Sequence, residues 1–251
     1  MSAYAAGINR QETAFRIDAR AAGWQYPRRN PLKEMSQPDY FTAERALMVA
    51  KQLRARGIAD ERLLAAMARV PRHEFVPAEF RLRAYGDYPV PIGLSQTISQ
   101  PFIVALMLEA LKLVPGQIVL EVGTGSGYQA ALLAELGARV YSVERHPSLA
   151  KSAREVLVRL GYVSVTVLVG DGSLGVPEHA PYDAIVVSAA TPEVPAAWFQ
   201  QLTEGGRLLV PVGPPEAQRL QLVCKQDGNP VTTELEGCRF VPLVRGLGDE
   251  G

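Results

Sequence analysis

The stretch Ile118-Val-Leu-Glu-Val-Gly-Thr-Gly-Ser-Gly-Tyr128 decides the fold of this chain. Its first five residues are largely apolar, as expected for a strand that is covered on both faces in a parallel sheet. The glycines that follow permit a tight turn and let a ligand approach the backbone closely. A helix predicted from Tyr128 to about Leu136 would direct its free N–H groups at that ligand. The stretch therefore predicts a strand–turn–helix unit that binds a small molecule.

Two acids follow later predicted strands. Glu144 ends the strand that begins at Arg139, and it follows Gly123 by 144 − 123 = 21 residues. An acid at this distance lies at the tip of the neighbouring strand, where it can accept hydrogen bonds from ribose hydroxyls. The glycines run G-x-G-x-G, which differs from the dinucleotide pattern G-x-G-x-x-G. Asp171 follows the strand 165–169; it either forms a common Asp-Gly turn or lies at the edge where open α/β sheets bind ligands.

Further along the chain, short apolar strands alternate with helices. Additional strands are predicted at 182–187 and 207–212, and helices at 148–160 and 196–202. Such alternation is typical of an α/β fold with a doubly wound, mostly parallel, Rossmann-like sheet. The sequence thus predicts one layered core around the glycine turn.

Both ends of the chain depart from this alternation. Helical spacing at 44–56, with Gly57 as a cap and Asp60 capping a second helix, predicts an N-terminal helical section. Near the C-terminus, Asp227-Gly228 between two apolar runs predicts a hairpin, so the sheet should end antiparallel. We divide the chain into three sections: a partly irregular N-terminal extension (1–43), a helical section with a loop (44–110), and a core with C-terminal strands (111–251). In the extension, Trp24 or Tyr26 is expected to pack on the rest of the protein.

Composition excludes several classes of protein. Lys plus Arg equals Asp plus Glu at 26 each, so no overall field favours a polyanion, and we expect no nucleic-acid partner. No apolar run is long enough to span a bilayer, and residues 1–10 lack the pattern of a secretory signal. Cys224 and Cys238 form no C-x-x-C pair and have no set of histidines nearby, so reduced thiols, a cytoplasmic location and no metal site are expected.

The segment 84–101 is rich in glycine and proline but carries little charge, which is unusual for a loop that only faces solvent. It leads into an apolar helix predicted at 102–113. Ser99 has two interpretations: it is the N-cap of that helix, or it lines a binding site together with its neighbours in 97–100. His73 is expected to be a surface or packing histidine, because no cysteine, serine or metal-ligand partner stands at a useful spacing.

The glycine turn with its distal acid resembles class I S-adenosylmethionine-dependent methyltransferases. From about Glu44 to Val244 the chain is similar to the protein-L-isoaspartate O-methyltransferase family, and the Thr-Ile-Ser-Gln-Pro segment is the most selective match. Residues 1–40 lie outside the family pattern, and Leu94-Ser95 stands where a more glycine-rich approach to Gln96 is usual. The matching stretches are Val70-Pro-Arg72, Phe75-Val-Pro77, Gln96-Thr-Ile-Ser-Gln-Pro101, Leu120 to Tyr128, Gly170-Asp-Gly172, Tyr182 to Val187, Gly205-Gly-Arg-Leu208 and Val241-Pro-Leu243.

This resemblance implies an enzyme that transfers the methyl group of S-adenosylmethionine to the free α-carboxylate of L-isoaspartyl residues in damaged proteins and peptides, with S-adenosylhomocysteine as product. Glu121 to Gly127 would cradle the methionine part of the cofactor, Glu144 the ribose, and Asp171 with Gly172 would lie near the adenine. Ser99 would carry the catalytic role. The substrate would also contact Thr97, Ile98, Gln100, Val241 and Leu243. The cofactor would contact Gly123, Thr124, Gly125 and Ser126.

Chemistry agrees with this division of roles. A carboxylate acceptor is already ionised near neutral pH, so transfer needs no general base, and the three histidines of the chain form no evident base–orienter pair. Three alternatives remain open: a methyltransferase acting on a small metabolite or RNA, a nicotinamide-dependent dehydrogenase, and a non-catalytic relative that binds the cofactor. The oligomeric state is not determined by the sequence, although a monomer is favoured.

Overall fold

The structure is a computed structural model that describes residues 36–248, so the expected packing of Trp24 or Tyr26 lies outside the described residues. Within that range the chain forms six α-helices and nine strands. In chain order these are α1 (Gln37–Leu47), α2 (Glu61–Arg69), β1 (Val90–Gly93), β2 (Gln96–Ile98), α3 (Pro101–Leu111), β3 (Ile118–Val122), α4 (Tyr128–Glu135), β4 (Arg139–Glu144), α5 (Pro147–Arg159), β5 (Val165–Val169), β6 (Tyr182–Val187), α6 (Ala196–Gln200), β7 (Leu202–Val212), β8 (Gln218–Gln226) and β9 (Asn229–Cys238).

Seven strands form one sheet in the order β5-β4-β3-β6-β7-β8-β9. The pairs among the first five are parallel, whereas β7–β8 and β8–β9 are antiparallel. The predicted α/β fold is therefore confirmed, including the antiparallel C-terminal end. The β8–β9 turn at Asp227-Gly228 has positive φ at both residues, as a two-residue hairpin loop of type I′ requires.

Alternation along the parallel strands divides the core between the two faces of the sheet. Val119 and Val140 belong to a cluster that includes α2, α3 and α4. Their neighbours Leu120 and Tyr141 belong to a second cluster, which contains the fully buried Trp198 of α6. The N-terminal helical section thus covers one face of the sheet and is part of its core.

Two elements begin at least five residues before their predicted first residue. The first helix begins at Gln37, and after Leu47 it continues as a π-helical segment (Met48–Leu53) and a 3₁₀ turn (Arg54–Arg56) before Gly57 in the left-handed conformation. The strand predicted from Arg207 begins at Leu202, because Tyr182 pairs with Leu202. A register shift follows this pair, and it accommodates the intervening glycines within the strand. A strand pairing between distant segments is not visible in local sequence.

The parallel strands point their carboxyl ends at one edge of the sheet. Chain connections leave β3 toward β4 on one side, and β6 lies on the other side, so the crevice between β3 and β6 is the topological switch point. Hydrogen bonds join the ends of the strands on both sides of β3: Gly123 N–H donates to the Val143 carbonyl of β4 at 2.9 Å, and Ser188 N–H, after β6, donates to the Val122 carbonyl at 2.8 Å. Ligands bind at this position in open α/β sheets.

The loop before α3 forms a small hairpin from β1 and β2, joined by Leu94 and Ser95. Both turn residues have positive φ, 50° for Leu94 and 57° for Ser95. Non-glycine residues rarely adopt this region, because the Cβ atom approaches a carbonyl oxygen. The departure from the glycine-rich pattern at Leu94-Ser95 therefore introduces backbone strain next to Gln96.

We expect Leu94→Gly to raise the free energy of unfolding by about 0.5–1 kcal/mol. The left-handed conformation costs an L-residue roughly 1–2 kcal/mol, and the extra chain entropy of glycine offsets about 0.5–1 kcal/mol of that gain. Urea unfolding measures the change. Leu82→Gly is the matched control, since Leu82 is also exposed but lies in a 3₁₀ turn (Ala78–Arg83) without positive φ, and there glycine should destabilise. A loss of stability in both Leu94→Gly and Leu82→Gly would contradict the presence of backbone strain at Leu94.

Candidate active site

A cavity of about 1500 Å³ lies at the carboxyl edge of the sheet, over the switch point. Its wall contains the segment 97–100, the glycine turn, the end of β4 and the segment 241–244. The structure therefore brings the predicted acceptor loop and the predicted cofactor turn to one cavity. The site residues predicted from the sequence that line it are Thr97, Ile98, Ser99, Gln100, Glu121, Gly123, Thr124, Gly125, Ser126, Glu144, Gly172, Val241 and Leu243.

Gly127 does not line this cavity, and its role is one of packing. It precedes α4 with φ of 87°, and a Cβ atom there would lie 3.3 Å from side-chain atoms of Ala153 and Leu157 on α5. Gly127 thus lets α4 begin close against α5. Gly123 and Gly125 also have positive φ but face the cavity, where their backbone is open to a ligand.

The Glu144 carboxylate is buried at the end of β4 and holds the glycine turn. Its Oε2 accepts from Gly125 N–H at 2.9 Å, and its Oε1 accepts from His146 N–H at 3.0 Å. A carboxylate has about four lone-pair positions on its two oxygens, so each oxygen retains capacity for a hydroxyl donor. Glu144 therefore links the glycine turn to the predicted ribose position.

Glu121 lies on β3 with no exposed surface. Ser142 Oγ donates to Glu121 Oε2 at 2.5 Å, and Thr124 Oγ1 lies 2.5 Å from the same Ser142 hydroxyl. Glu121 Oε1 is buried and has no hydrogen-bond partner among residues 36–248. Burial raises the pKa of Glu121 to about 8, against the opposing effect of the Ser142 hydroxyl. A buried acceptor without a donor at the wall of a cavity indicates a place for a cationic or N–H group of a ligand.

Asp171 lies beside the cavity and lines a smaller hollow of about 490 Å³ next to it. Its Oδ1 accepts from Ser173 N–H at 2.9 Å and its Oδ2 from Gly246 N–H at 2.7 Å. Burial tends to raise the pKa of Asp171, but the donors from Gly246 and Ser173 outweigh it and hold the pKa below its usual value. Arg145 holds the same terminal segment through the carbonyls of Gly246 and Leu247. Its neighbour Gly172 does line the main cavity.

The interpretation of Ser99 as a helix cap is wrong. Gln100 occupies the N-cap position of α3, no side chain caps that helix, and Pro101 is its first residue. Ser99 is half-buried, and its hydroxyl makes no hydrogen bond to another residue in the described range. The hydroxyl is therefore free to contact a ligand in the cavity.

The segment 241–244 is fixed across the mouth of the cavity by main-chain bonds. Ala190 N–H donates to the Val241 carbonyl at 2.8 Å, and Leu243 N–H donates to the Ala190 carbonyl at 2.7 Å. Gln218 holds the preceding residue, since its Oε1 accepts from Phe240 N–H at 2.6 Å and its Nε2 donates to the Phe240 carbonyl at 3.1 Å. Val241 and Leu243 thus face the cavity from a braced segment.

Sequence reasoning missed several lining residues. Gln129 Nε2 donates to Ser188 Oγ at 3.1 Å inside the cavity wall, and 215–219 forms part of its rim. Ser188 directly follows β6, so its position at the carboxyl edge was a usable signal. The rim segment carried no such signal, because it reaches the cavity only through the pairing of β7 with β8.

His73 and the two cysteines have the roles expected from the sequence. His73 is a packing histidine: it stacks on Phe41 with ring centroids 4.0 Å apart, and burial lowers its pKa to about 4. Cys224 and Cys238 are free thiols. Among residues 36–248 there is no helix long and apolar enough to cross a membrane, and no cluster of His, Cys, Asp and Glu that could hold a metal ion.

Glu121→Gln should change how stability depends on pH. The pKa of about 8 in the folded chain exceeds the ordinary value of 4.5, so the folded state binds the extra proton between these values. As the pH rises through that window, this group should lower the wild-type free energy of unfolding by up to about 1.4 kcal/mol per pH unit. Below and above the window the group should not change the slope. Urea titrations from pH 4 to 9 should show a smaller fall for the glutamine variant. Exposed Glu155→Gln is the control; parallel curves for wild type and Glu121→Gln would contradict the assignment.

Comparison with known proteins gives one consistent family. The model of the protein-L-isoaspartate(D-aspartate) O-methyltransferase family matches residues 43–248. A protein-L-isoaspartate O-methyltransferase of Koribacter versatilis is 55% identical over 208 residues, covering 83% of this chain and 94% of the relative. One of Methanoculleus marisnigri is 56% identical over 215 residues, covering 86% and 98%.

Solved structures agree. A protein-L-isoaspartate O-methyltransferase superposes with a TM-score of 0.73 at 34% identity, covering 81% of this chain and 67% of the other. A Plasmodium falciparum structure, described as the same enzyme in complex with S-adenosyl-L-homocysteine, superposes with a TM-score of 0.70 at 27% identity, covering 80% and 98%. The family match over 43–248, the identities above 50% and the shared fold show that this chain belongs to the protein-L-isoaspartate O-methyltransferase family.

Proposed function

We propose that this chain is an S-adenosylmethionine-dependent methyltransferase that repairs proteins, methylating the free α-carboxylate that an L-isoaspartyl linkage exposes in proteins and peptides. The observation that carries the proposal is the single cavity that the 97–100 loop shares with the glycine turn. A transfer between two bound molecules requires both binding segments to face the same space.

The residues of the glycine turn fit S-adenosylmethionine. The open backbone at Gly123 and Gly125 admits close approach, Glu121 Oε1 awaits a donor, and Glu144 keeps lone pairs for two ribose hydroxyls. When bound, the cofactor supplies an electrophilic methyl group on a sulfonium. The Glu144 carboxylate of the wall favours that positive charge. Asp171 and Gly172, at the adjoining edge, complete the cofactor side near the adenine.

The acceptor side needs orientation and no base. An α-carboxylate is ionised near neutral pH, so its oxygen already has the electron pair for the new bond. The residues that we assign to this side are Ser99, the catalytic residue, with Thr97, Ile98 and Gln100 around it. The Ser99 hydroxyl can donate to one carboxylate oxygen without adding negative charge beside it. Val241 and Leu243 cover the bound peptide and exclude water. This cover keeps the carboxylate oxygen in line with the sulfonium methyl group, and such positioning lowers the barrier of well-oriented reactions by roughly 7–11 kcal/mol.

The alternative functions have weaker support. The G-x-G-x-G spacing disfavours a dehydrogenase, and Ser188-Ala-Ala-Thr after β6 differs from the N-P-P-Y type of segment that holds a flipped base. A non-catalytic relative would not need the free Ser99 hydroxyl in the cavity. A cytoplasmic location, a monomeric state and the absence of a nucleic-acid or membrane partner stay predictions.

One assay separates these functions. The protein is incubated with methyl-labelled S-adenosylmethionine and with a matched pair of peptides, one isoaspartyl and one aspartyl. We expect base-labile methyl ester on the isoaspartyl peptide alone. Label on both peptides or on neither peptide would overturn the proposal.

Ser99→Ala should reduce kcat/KM for the isoaspartyl peptide by about tenfold to hundredfold, because a hydrogen bond to a charged group contributes roughly 1.5–3 kcal/mol. The Kd for S-adenosylhomocysteine, measured by calorimetry, should stay within twofold. Ser152→Ala, on the exposed side of α5, is the matched control and should leave both values unchanged. Full activity in Ser99→Ala would leave Ser99 without a catalytic role.

Glu144→Ala should weaken S-adenosylhomocysteine binding by at least about tenfold, since it removes two charge-assisted acceptors for ribose and releases Gly125 N–H. Calorimetric titration measures the change, and Glu155→Ala on the surface of α5 serves as control. An unaltered titration would refute the ribose role of Glu144.

A further inference from the structure

Arg72 is a fully buried cation between the two halves of the site. It lies in a 3₁₀ turn (Arg72–Phe75), and none of its surface is exposed. Its Nε donates to the Ala84 carbonyl at 2.6 Å, and its Nη2 donates to the Ser99 carbonyl at 2.7 Å. Its guanidinium carbon lies 4.8 Å from the ring centroid of Tyr128, the first residue after the glycine turn. Arg72 thus contacts both the acceptor loop and the start of α4.

The charge of Arg72 is not neutralised by an ion pair. Arg72 makes no ion pair within 4.0 Å in the described chain, and Asp87, the acid whose charge acts on it, pairs with Arg56. Burial lowers the pKa of Arg72 only to about 10, so the group stays a cation at neutral pH. A buried cation is costly unless its donors are used. Two backbone carbonyls accept from Nε and Nη2 of Arg72, and one of them belongs to Ser99, whereas the buried Nη1 has no hydrogen-bond partner in the described range.

The bond to Ser99 fixes a whole peptide unit. In a trans peptide the C=O and the next N–H point in opposite directions within one plane. Ser99 and Gln100 line the cavity, whereas Arg72 lies behind them and does not. With the Ser99 carbonyl held on Arg72, the Gln100 N–H is turned toward the cavity side of the loop. This N–H makes no hydrogen bond to a residue of the described range.

We propose that Arg72 is a positioning residue for the acceptor: its guanidinium orients the Ser99–Gln100 peptide unit so that the Gln100 N–H and the Ser99 hydroxyl together receive the substrate carboxylate. Arg72 acts through the loop and does not itself touch the reacting atoms. The inference rests on the proposed function, and it adds Arg72 and the Gln100 amide to the acceptor side of the site.

Arg72→Lys tests the inference, because lysine keeps the charge but cannot hold both carbonyls with a rigid fork. We expect kcat/KM for the isoaspartyl peptide to fall by about tenfold to hundredfold, as misplacement of a positioned reactant does, with most of the loss in kcat. The Kd for S-adenosylhomocysteine should stay within twofold. Arg62→Lys is the matched control: Arg62 also donates to two backbone carbonyls, Leu113 and Leu136, but neither of these residues lines the cavity. It should leave kcat/KM within twofold.

A measurement on wild type keeps the inference testable if Arg72→Lys does not fold. Amide hydrogen exchange by NMR, with S-adenosylhomocysteine bound, should show slower exchange at Gln100 when isoaspartyl peptide is added and no change with aspartyl peptide. Normal kcat/KM in a folded Arg72→Lys, parallel losses of cofactor affinity and activity, or unchanged exchange at Gln100 would each overturn the role of Arg72. An inactive wild type would instead refute the proposed function itself.

Discussion

The parallel pairing of β3 with β4 on one side and β6 on the other is the constraint on which the site depends. Hydrogen bonding in register fixes the ends of three strands at one edge, with Val122 level with Val143 and with Val187. The residue that follows each end is then committed to the same crevice. The glycine turn after β3, Glu144 at the end of β4 and Ser188 after β6 therefore meet without any direct sequence relation.

Two buried ionisable groups mark the two halves of this edge. Glu121 lies under the cofactor turn with one oxygen unpartnered, and Arg72 lies under the acceptor loop, where its Nε and Nη2 donate to backbone carbonyls. Each group loses hydration on burial, and that cost is offset only by the bonds that the surrounding chain or a ligand supplies. Glu121 thus keeps one oxygen that only a ligand could satisfy, whereas Arg72 is bonded to two segments of the chain itself.

The acceptor side is held by structure built from distant parts of the chain. The hairpin of β1 and β2 carries two non-glycine residues with positive φ, and it leads directly to Ser99. Across the cavity, Ala190 braces the 240–243 segment through main-chain bonds, and Gln218 braces it through its side-chain amide. Both walls are thus fixed before a peptide arrives, which reduces the ordering cost of binding.

The sequence by itself determined the order of elements and the glycine turn, and it predicted the ribose acid and the acceptor loop, because hydrophobic period, glycine spacing and strand ends are local signals. Local signals could not distinguish the two roles open to Ser99, because a helix cap and a site residue have the same local pattern. They also could not show that Gly127 packs against α5, because a glycine needed for packing and a glycine that contacts a ligand look alike in the sequence. Only the tertiary structure decided that the 97–100 loop faces the glycine turn, that Arg72 is buried behind it and that Asp171 is held by Gly246. These facts depend on contacts between residues far apart in the chain, which sheet register and packing set together.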